Sequence, residues 1–256
     1  MYKQQAVYEV EKIRIENLKK SFGEKIAVDI NEFTINEGDI LGLVGNNGAG
    51  KTTLFRMILD LLKADGGKVE FLFANNTEGI DENNVINPAE SEEWKKHVGA
   101  YVDDGFLIDF LTPEEYFEFN GKVSGLTKEE IASRLAEYEK FMAGEILDQK
   151  KLIRDYSAGN KQKIGIICAL LTQPEVVILD EPFNFLDPSS QNVLKKILLG
   201  YAEKHGATII ISSHNLQHTI EVSTRIALLE HGVIVKDLEK ENTNAEKELE
   251  SYFNIE

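Results

Sequence analysis

One cysteine in 256 residues excludes an intrachain disulfide, and Cys168 lies in an apolar helical stretch where it suits packing better than chemistry. Positive charge is scarce. Against 44 Asp and Glu stand 28 Lys and Arg, a formal net charge of −16, which disfavours a nucleic-acid partner because such binders gain affinity from clustered cations. No apolar run approaches the roughly 20 residues of a membrane-spanning helix; the longest lies around Ile164 to Leu171. Residues 1–17 mix Lys, Glu and Arg among apolar residues and lack the apolar core of a secretion leader, so none is expected. Internal repeats and Pro/Gly/Ser-rich linkers are also missing. What remains, with 42% hydrophobic residues, is enough for one large α/β domain carrying a subdomain. The acidic runs at 78–93 and 237–256 read as solvated loop and tail.

The most informative segment is Gly45-Asn46-Asn47-Gly48-Ala49-Gly50-Lys51-Thr52-Thr53, which fills every fixed place of G-x-x-x-x-G-K-[ST]. Residues 39–44 before it read as a buried strand. Leu54, Met57, Ile58, Leu61 and Leu62 after it predict a helix with one buried face. Glycines let successive N–H groups turn inward toward a phosphate, the helix N-terminus adds partial positive charge, and Lys51 adds a full one. The Thr52 hydroxyl is placed to ligate Mg²⁺. A nucleoside triphosphate is the expected ligand.

Residues 10–44 and 68–73 read as an antiparallel β layer around this site, with a turn at Ser21-Phe22-Gly23-Glu24-Lys25. Thr112 before Glu115 and Thr127 before Glu130 are capping boxes that predict two helix starts. Ile131, Leu135, Tyr138 and Met142 then share a face, so residues 104–172 are expected to form a helical subdomain. Apolar runs at 176–179, 208–212 and 225–229, separated by helical patterns, predict a parallel sheet; Gly232 predicts a closing hairpin. The fold class is therefore α/β: a mostly parallel core sheet formed from about 10–103 and 173–237, an N-terminal antiparallel layer, a helical subdomain and an acidic tail at 238–256.

Asp180 and Glu181 end the 176–179 strand, where ligands bind in parallel sheets. The first suits Mg²⁺ held through water, the second the polarising of an attacking water. Ser157 fits the N-cap of the next upstream helix, whose free N–H groups near Gly159 make a second anion-binding terminus. Tyr156-Ser157-Ala158-Gly159-Asn160, lying 23 residues before Asp180, together with the glycine loop, resembles the signature of the ATP-binding-cassette family, usually Leu-Ser-Gly-Gly-Gln. The resemblance runs from about residue 13 to 237.

That resemblance identifies Asp187 with the family's D-loop aspartate, His214 with its switch histidine and Phe22 with the aromatic that stacks on adenine. His97, His205, His218 and His231 match no such position and are read as surface or packing residues. Asp103 stands where the family usually has glutamine; it is expected to ligate Mg²⁺ and to alter metal dependence. The resemblance implies an ATPase using ATP and Mg²⁺, with a P-loop NTPase fold. It also implies a head-to-tail homodimer in which Ser157 and Gly159 of one subunit contact ATP held by Lys51 and Glu181 of the other. The partner it implies is an integral membrane permease, with the chain cytoplasmic and peripheral on the inner membrane face, and an exporter is favoured. Phe106, Phe110, Tyr116, Phe117 and Phe119 mark the expected docking groove. A soluble cassette acting as an assembly clamp is the alternative.

Overall fold

The computed structural model describes residues 10–73 and 84–239. The tail from 240 and the 78–83 part of the first acidic run lie outside them.

Two sheets carry the chain. The first pairs β1 (Glu11–Phe22), β2 (Lys25–Asn36), β4 (Gly66–Leu72) and the short β5 (Val85–Ile86) in the order β2-β1-β4-β5, all antiparallel. The expected turn closes β1 onto β2 through Gly23, whose φ is 61°. The second sheet has the order β10-β9-β3-β8-β7-β6, built from β3 (Ile40–Val44), β6 (Val98–Tyr101), β7 (Val176–Leu179), β8 (Thr208–Ser213), β9 (Arg225–Glu230) and β10 (Val233–Glu239). Its pairings are parallel except the β9–β10 hairpin.

Two expectations need correcting here. Residues 40–44 belong to the parallel sheet, where β3 sits between β8 and β9, and not to the antiparallel layer. Val98–Tyr101 adds a strand beside β7 that the 4-residue pattern did not announce, because its glycine and alanine dilute the apolar signal.

The central strands are buried on both faces, as parallel strands are. Val177, Leu179, Ile209 and Ile211 point into a core shared with the helices, whereas Val176, Ile178, Ile210, Leu41 and Leu43 point into the core shared with β1, β2 and β4. Helix α1 (Lys51–Ile58) packs Leu54, Phe55, Met57 and Ile58 into that second core. It ends earlier than its apolar spacing predicts. Asp60 turns left-handed at φ 50°, and the N–H groups of Leu61 and Leu62 both donate to the Arg56 carbonyl; Leu61 is consequently exposed.

Both predicted helix starts are real. In α2 (Pro113–Val123) and α3 (Lys128–Ala136) the threonine accepts the N3 amide while the glutamate returns a bond to the threonine amide, an arrangement worth about 1 kcal/mol per cap. The face from Ile131 to Met142 is not one helix. α3 stops at Ala136 and the four-residue α4 (Glu139–Met142) follows, yet Ile131, Tyr138 and Met142 are all buried. The two helices lie against α5 (Ala158–Leu171), which is buried nearly all round because the subdomain and the sheet cover opposite sides of it. The long α6 (Pro188–His205) and short α7 (Leu216–Val222) cover the remaining sheet face.

α5 approaches the sheet closely at Gly165, where an added Cβ would lie 2.1 Å from the Tyr101 ring. Gly165→Ala is expected to lower unfolding free energy by about 1–3 kcal/mol through overpacking, despite alanine's better helix propensity. Urea denaturation checks this; a more stable variant would show that the ring yields freely.

Candidate functional site

A cleft of about 400 Å³ opens where β3 meets α1, lined by Phe22, Lys25, Gly48, Lys51, Thr52, Thr53, Glu181, Asn184 and His214 among others. Its floor is the glycine loop. Gly50 caps α1 at φ 112°, and a Cβ there would sit 2.2 Å from the Ala27 carbonyl oxygen. One on Gly45 would sit 2.3 Å from that of Leu229. Only glycine permits both approaches. The loop is closed from behind by Gly232, whose N–H donates to Ala49 and whose carbonyl accepts from Asp29.

Lys51 is buried, donating from Nζ to the Gly45 carbonyl at 2.6 Å and lying 3.4 Å from Glu181 Oε1. Thr52 Oγ1 donates to Asp180 Oδ2 at 2.5 Å, and Ser212 Oγ donates to Asp180 Oδ1. Burial pushes the Asp180 carboxyl above its ordinary range, with Glu181 adding to the rise, against hydrogen bonds from Ser212 and Thr52 that lower it. Ser212 also accepts the Glu181 amide at 2.8 Å. One β8 hydroxyl therefore positions both carboxylates at the end of β7.

Glu181 adopts φ 46°. Its Oε2 accepts from the His214 backbone N–H at 3.3 Å and lies 2.9 Å from His214 Nδ1; since a carboxylate only accepts, the proton belongs on Nδ1. Gln162 of α5 donates to the Glu181 carbonyl at 3.0 Å. The pair at 180–181 and His214 are thus brought together with the glycine loop, as expected.

Phe22 lines the cleft and is 53% exposed, with Lys20 Nζ 5.7 Å from the centre of its ring. Ser157 caps α5 by accepting the Asn160 amide, and Asp187 caps α6 through the Ser189 and Ser190 amides. The hydrogen bonds from Ser190 hold the Asp187 carboxyl below its usual range. Ser157, Gly159 and Asp187 do not line the cleft with Lys51. Asp103 does not line this cleft but an adjoining one that shares Glu181 with it; its Oδ2 accepts from Arg56 and its Oδ1 from the Gly105 amide.

Sequence reasoning missed Lys25, Arg56 and Gln162. Each sits outside the fixed places of the phosphate loop: Lys25 lines the cleft, Gln162 holds the Glu181 carbonyl and Arg56 holds Asp103. Of the other histidines, His97 stacks on Phe73, while His205 and His218 lie tilted against Tyr201 and Phe183, consistent with packing roles.

The residues present fit a magnesium–triphosphate complex. The glycines at 45, 48 and 50, a buried lysine and the Thr52–Asp180 oxygen pair would supply phosphate and metal contacts. Few protein ligands suit Mg²⁺, which keeps water and phosphate oxygens in its shell.

A second groove, about 310 Å³, runs between the sheet and the helices past Leu61, Tyr101, Phe106, Tyr116, Asn120 and Cys168. Of the aromatics expected there, Phe117 is wholly buried and Tyr116 nearly so, while Phe106, Phe110 and Phe119 are exposed.

The phosphate loop opening a helix after a central parallel strand, with carboxylates at the end of β7, one strand removed from it across β8, defines a P-loop nucleoside triphosphatase. The profile of the ABC transporter family matches residues 28–184, and the chain belongs to that family as an ATP-binding ATPase cassette. It is 33% identical over 227 residues to the bacitracin transport ATP-binding protein BcrA of Bacillus licheniformis, covering 88% of this chain and 69% of that one. To the linearmycin resistance ATP-binding protein LnrL of Bacillus subtilis it is 32% identical over 223 residues, covering 87% and 68%. Among solved structures, an ATP-binding subunit of an ABC transporter superposes with TM-score 0.79 at 24% identity, covering 95% of this chain and 98% of that one. A dimeric post-hydrolysis cassette bound to ADP and Pi gives 0.74 at 22%, covering 89% and 98%. Both likenesses establish the fold.

Burial pushes the Cys168 thiol up to about 12. At pH 8 the folded chain is therefore expected to react with iodoacetamide at least about tenfold more slowly than the unfolded chain, whose thiol titrates near 8.5. Because the unfolded state releases this proton first, stability falls as pH rises from about 8.5 toward 12. Equal labelling rates, followed by mass spectrometry, would contradict the burial argument.

Proposed function

We propose that this chain is the ATP-hydrolysing subunit of an exporter-type transporter, closing as a head-to-tail homodimer over two ATP molecules to drive a separate membrane permease. The observation that carries the reading is the separation just described. One chain holds a triphosphate cleft and a capped anion-binding helix terminus that does not line it, so a second copy is needed to bring Ser157 and the Gly159 N–H against the nucleotide. The bacitracin and linearmycin relatives support the transport and exporter parts. That no helix among the described residues is long and apolar enough to cross a membrane agrees with a separate permease, which would hold the chain at the inner face of the membrane.

In this mechanism adenine stacks on Phe22, and loop amides from Asn46, Asn47, Gly48, Ala49, Gly50, Lys51, Thr52 and Thr53 cradle the phosphates. Lys51 neutralises the terminal phosphates. Thr52 and Asp180 would hold Mg²⁺, which when bound offsets the charge developing on the phosphate oxygens. An arriving γ-phosphate competes with Glu181 for Lys51, freeing Oε1 to accept a proton from the attacking water. His214 keeps Oε2 aimed, and Asp187 fixes the loop that faces the partner subunit. Closure then follows from ATP's preference for the closed pair, and hydrolysis removes it.

Glu181→Gln is expected to lower ATP turnover by about 10²–10⁴-fold while retaining ATP binding, and to accumulate an ATP-dependent dimer measurable by light scattering. A fully active variant would overturn the assignment. Purified from detergent-solubilised host membranes with ATP, the same variant is expected to bring a multi-span membrane protein, and Phe106→Ser to weaken that capture. Phe106 is the useful probe because it is exposed, whereas Phe117 serves the core. Recovery of soluble partners alone would favour the assembly clamp.

A further inference from the structure

Arg56 lies one turn beyond Thr52 on α1 and belongs to no nucleotide-binding motif. Its Nη2 is 2.7 Å from Asp103 Oδ2, and its Nε is buried with no hydrogen-bond partner among the described residues. The Asp103 contact is therefore the polar one that orients the guanidinium. Asp103 follows β6 and caps the 3₁₀ turn Asp104–Phe106, so the pair ties α1 to the segment leading into the helices. Asp103 also lines a cleft of about 210 Å³ with Asp180, Glu181 and Gln162. Asp104 lines the same cleft; left unpaired, Asp103 would add a further carboxylate to it beside the two that serve metal and water, in a site that must accept a polyanion.

We propose that Arg56 is a positioning residue for the nucleotide site: it cancels the charge of Asp103 and holds that carboxylate on α1, off the Thr52–Asp180 oxygen pair. This rests on the ATPase reading and replaces the metal-ligand role expected of Asp103. A charge placed or removed here acts through space on both ligands with opposite sign. Arg56→Met strips the cation and leaves a free carboxylate, which repels nucleotide and attracts metal. Asp103→Asn does the reverse. The double variant restores neutrality.

The test uses the full chain and two readouts that require no turnover: ADP affinity in EDTA by calorimetry, and Mn²⁺ affinity of the ADP-loaded protein by electron paramagnetic resonance. For Arg56→Met, ADP binding is expected to weaken and Mn²⁺ binding to tighten, each by about two- to fivefold, the size of a half-exposed charge pair. Asp103→Asn is expected to shift both in the opposite directions, Arg56→Met/Asp103→Asn to return near the parent values, and Arg56→Lys to keep them. Shifts of the same sign in both single variants, or none, would overturn the proposal. Should Arg56→Met fail to fold, the contrast between Asp103→Asn and Arg56→Lys decides it alone: equal behaviour of those two overturns it. Failure of the unaltered chain to bind ADP at all would instead strike the ATPase reading.

Discussion

Everything at the phosphate site depends on three backbones meeting without side chains between them. Gly50 meets Ala27 of β2, Gly45 meets Leu229 of β9, and Gly232 in the last hairpin lies against Ala27 and Val28. The loop is thus clamped between the antiparallel layer and the end of the parallel sheet. Its amides are aimed before any ligand arrives, and donors that need no reorganisation are the ones that stabilise charge most effectively. The same clamp explains why two sheets of different type coexist in one fold: the antiparallel layer supplies the wall against which the loop is moulded.

Behind the loop, polarity is organised around hydroxyls. Thr52 from α1 and Ser212 from β8 satisfy both oxygens of Asp180, and Ser212 also anchors the backbone of Glu181. A buried carboxylate without such donors would be costly. Here the donors come from one helix and one strand and the acceptor from the end of a second strand, so the arrangement holds the α1, β7 and β8 ends in mutual register. The overall charge of −16 is kept out of this spot by placing Lys25 and Lys51 at the cleft and by pairing carboxylates elsewhere, as Arg225 does with Asp39 and Asp237.

How much was legible in sequence follows from how local each cause is. The glycine loop, Asp180 and Glu181 were readable because their chemistry suggests fixed residue types at fixed spacing, His214 only through the family resemblance, and the capping boxes because they satisfy amides three residues away. Less legible was where α1 stops, since its termination is decided by a left-handed Asp60 with no glycine to announce it. Val98–Tyr101 escaped because a short edge strand beside a buried neighbour needs little apolarity. Arg56 escaped for a different reason. Its meaning comes from Asp103, 47 residues away, and the aspartate read in isolation points toward metal when its partner points it toward a guanidinium.

The turn after β7 holds two left-handed residues that are not glycine, Glu181 at φ 46° and Phe185 at φ 61°. Each conformation costs on the order of 1 kcal/mol. The consequence is evolutionary. Glycine at 185 would relieve the strain and surrender only a ring that is 74% exposed, so drift there is close to neutral for folding. Glycine at 181 would relieve as much and remove the carboxylate. Two positions four residues apart and left-handed alike therefore differ in what glycine would cost them: at the first a carboxylate held by His214, at the second only an exposed ring.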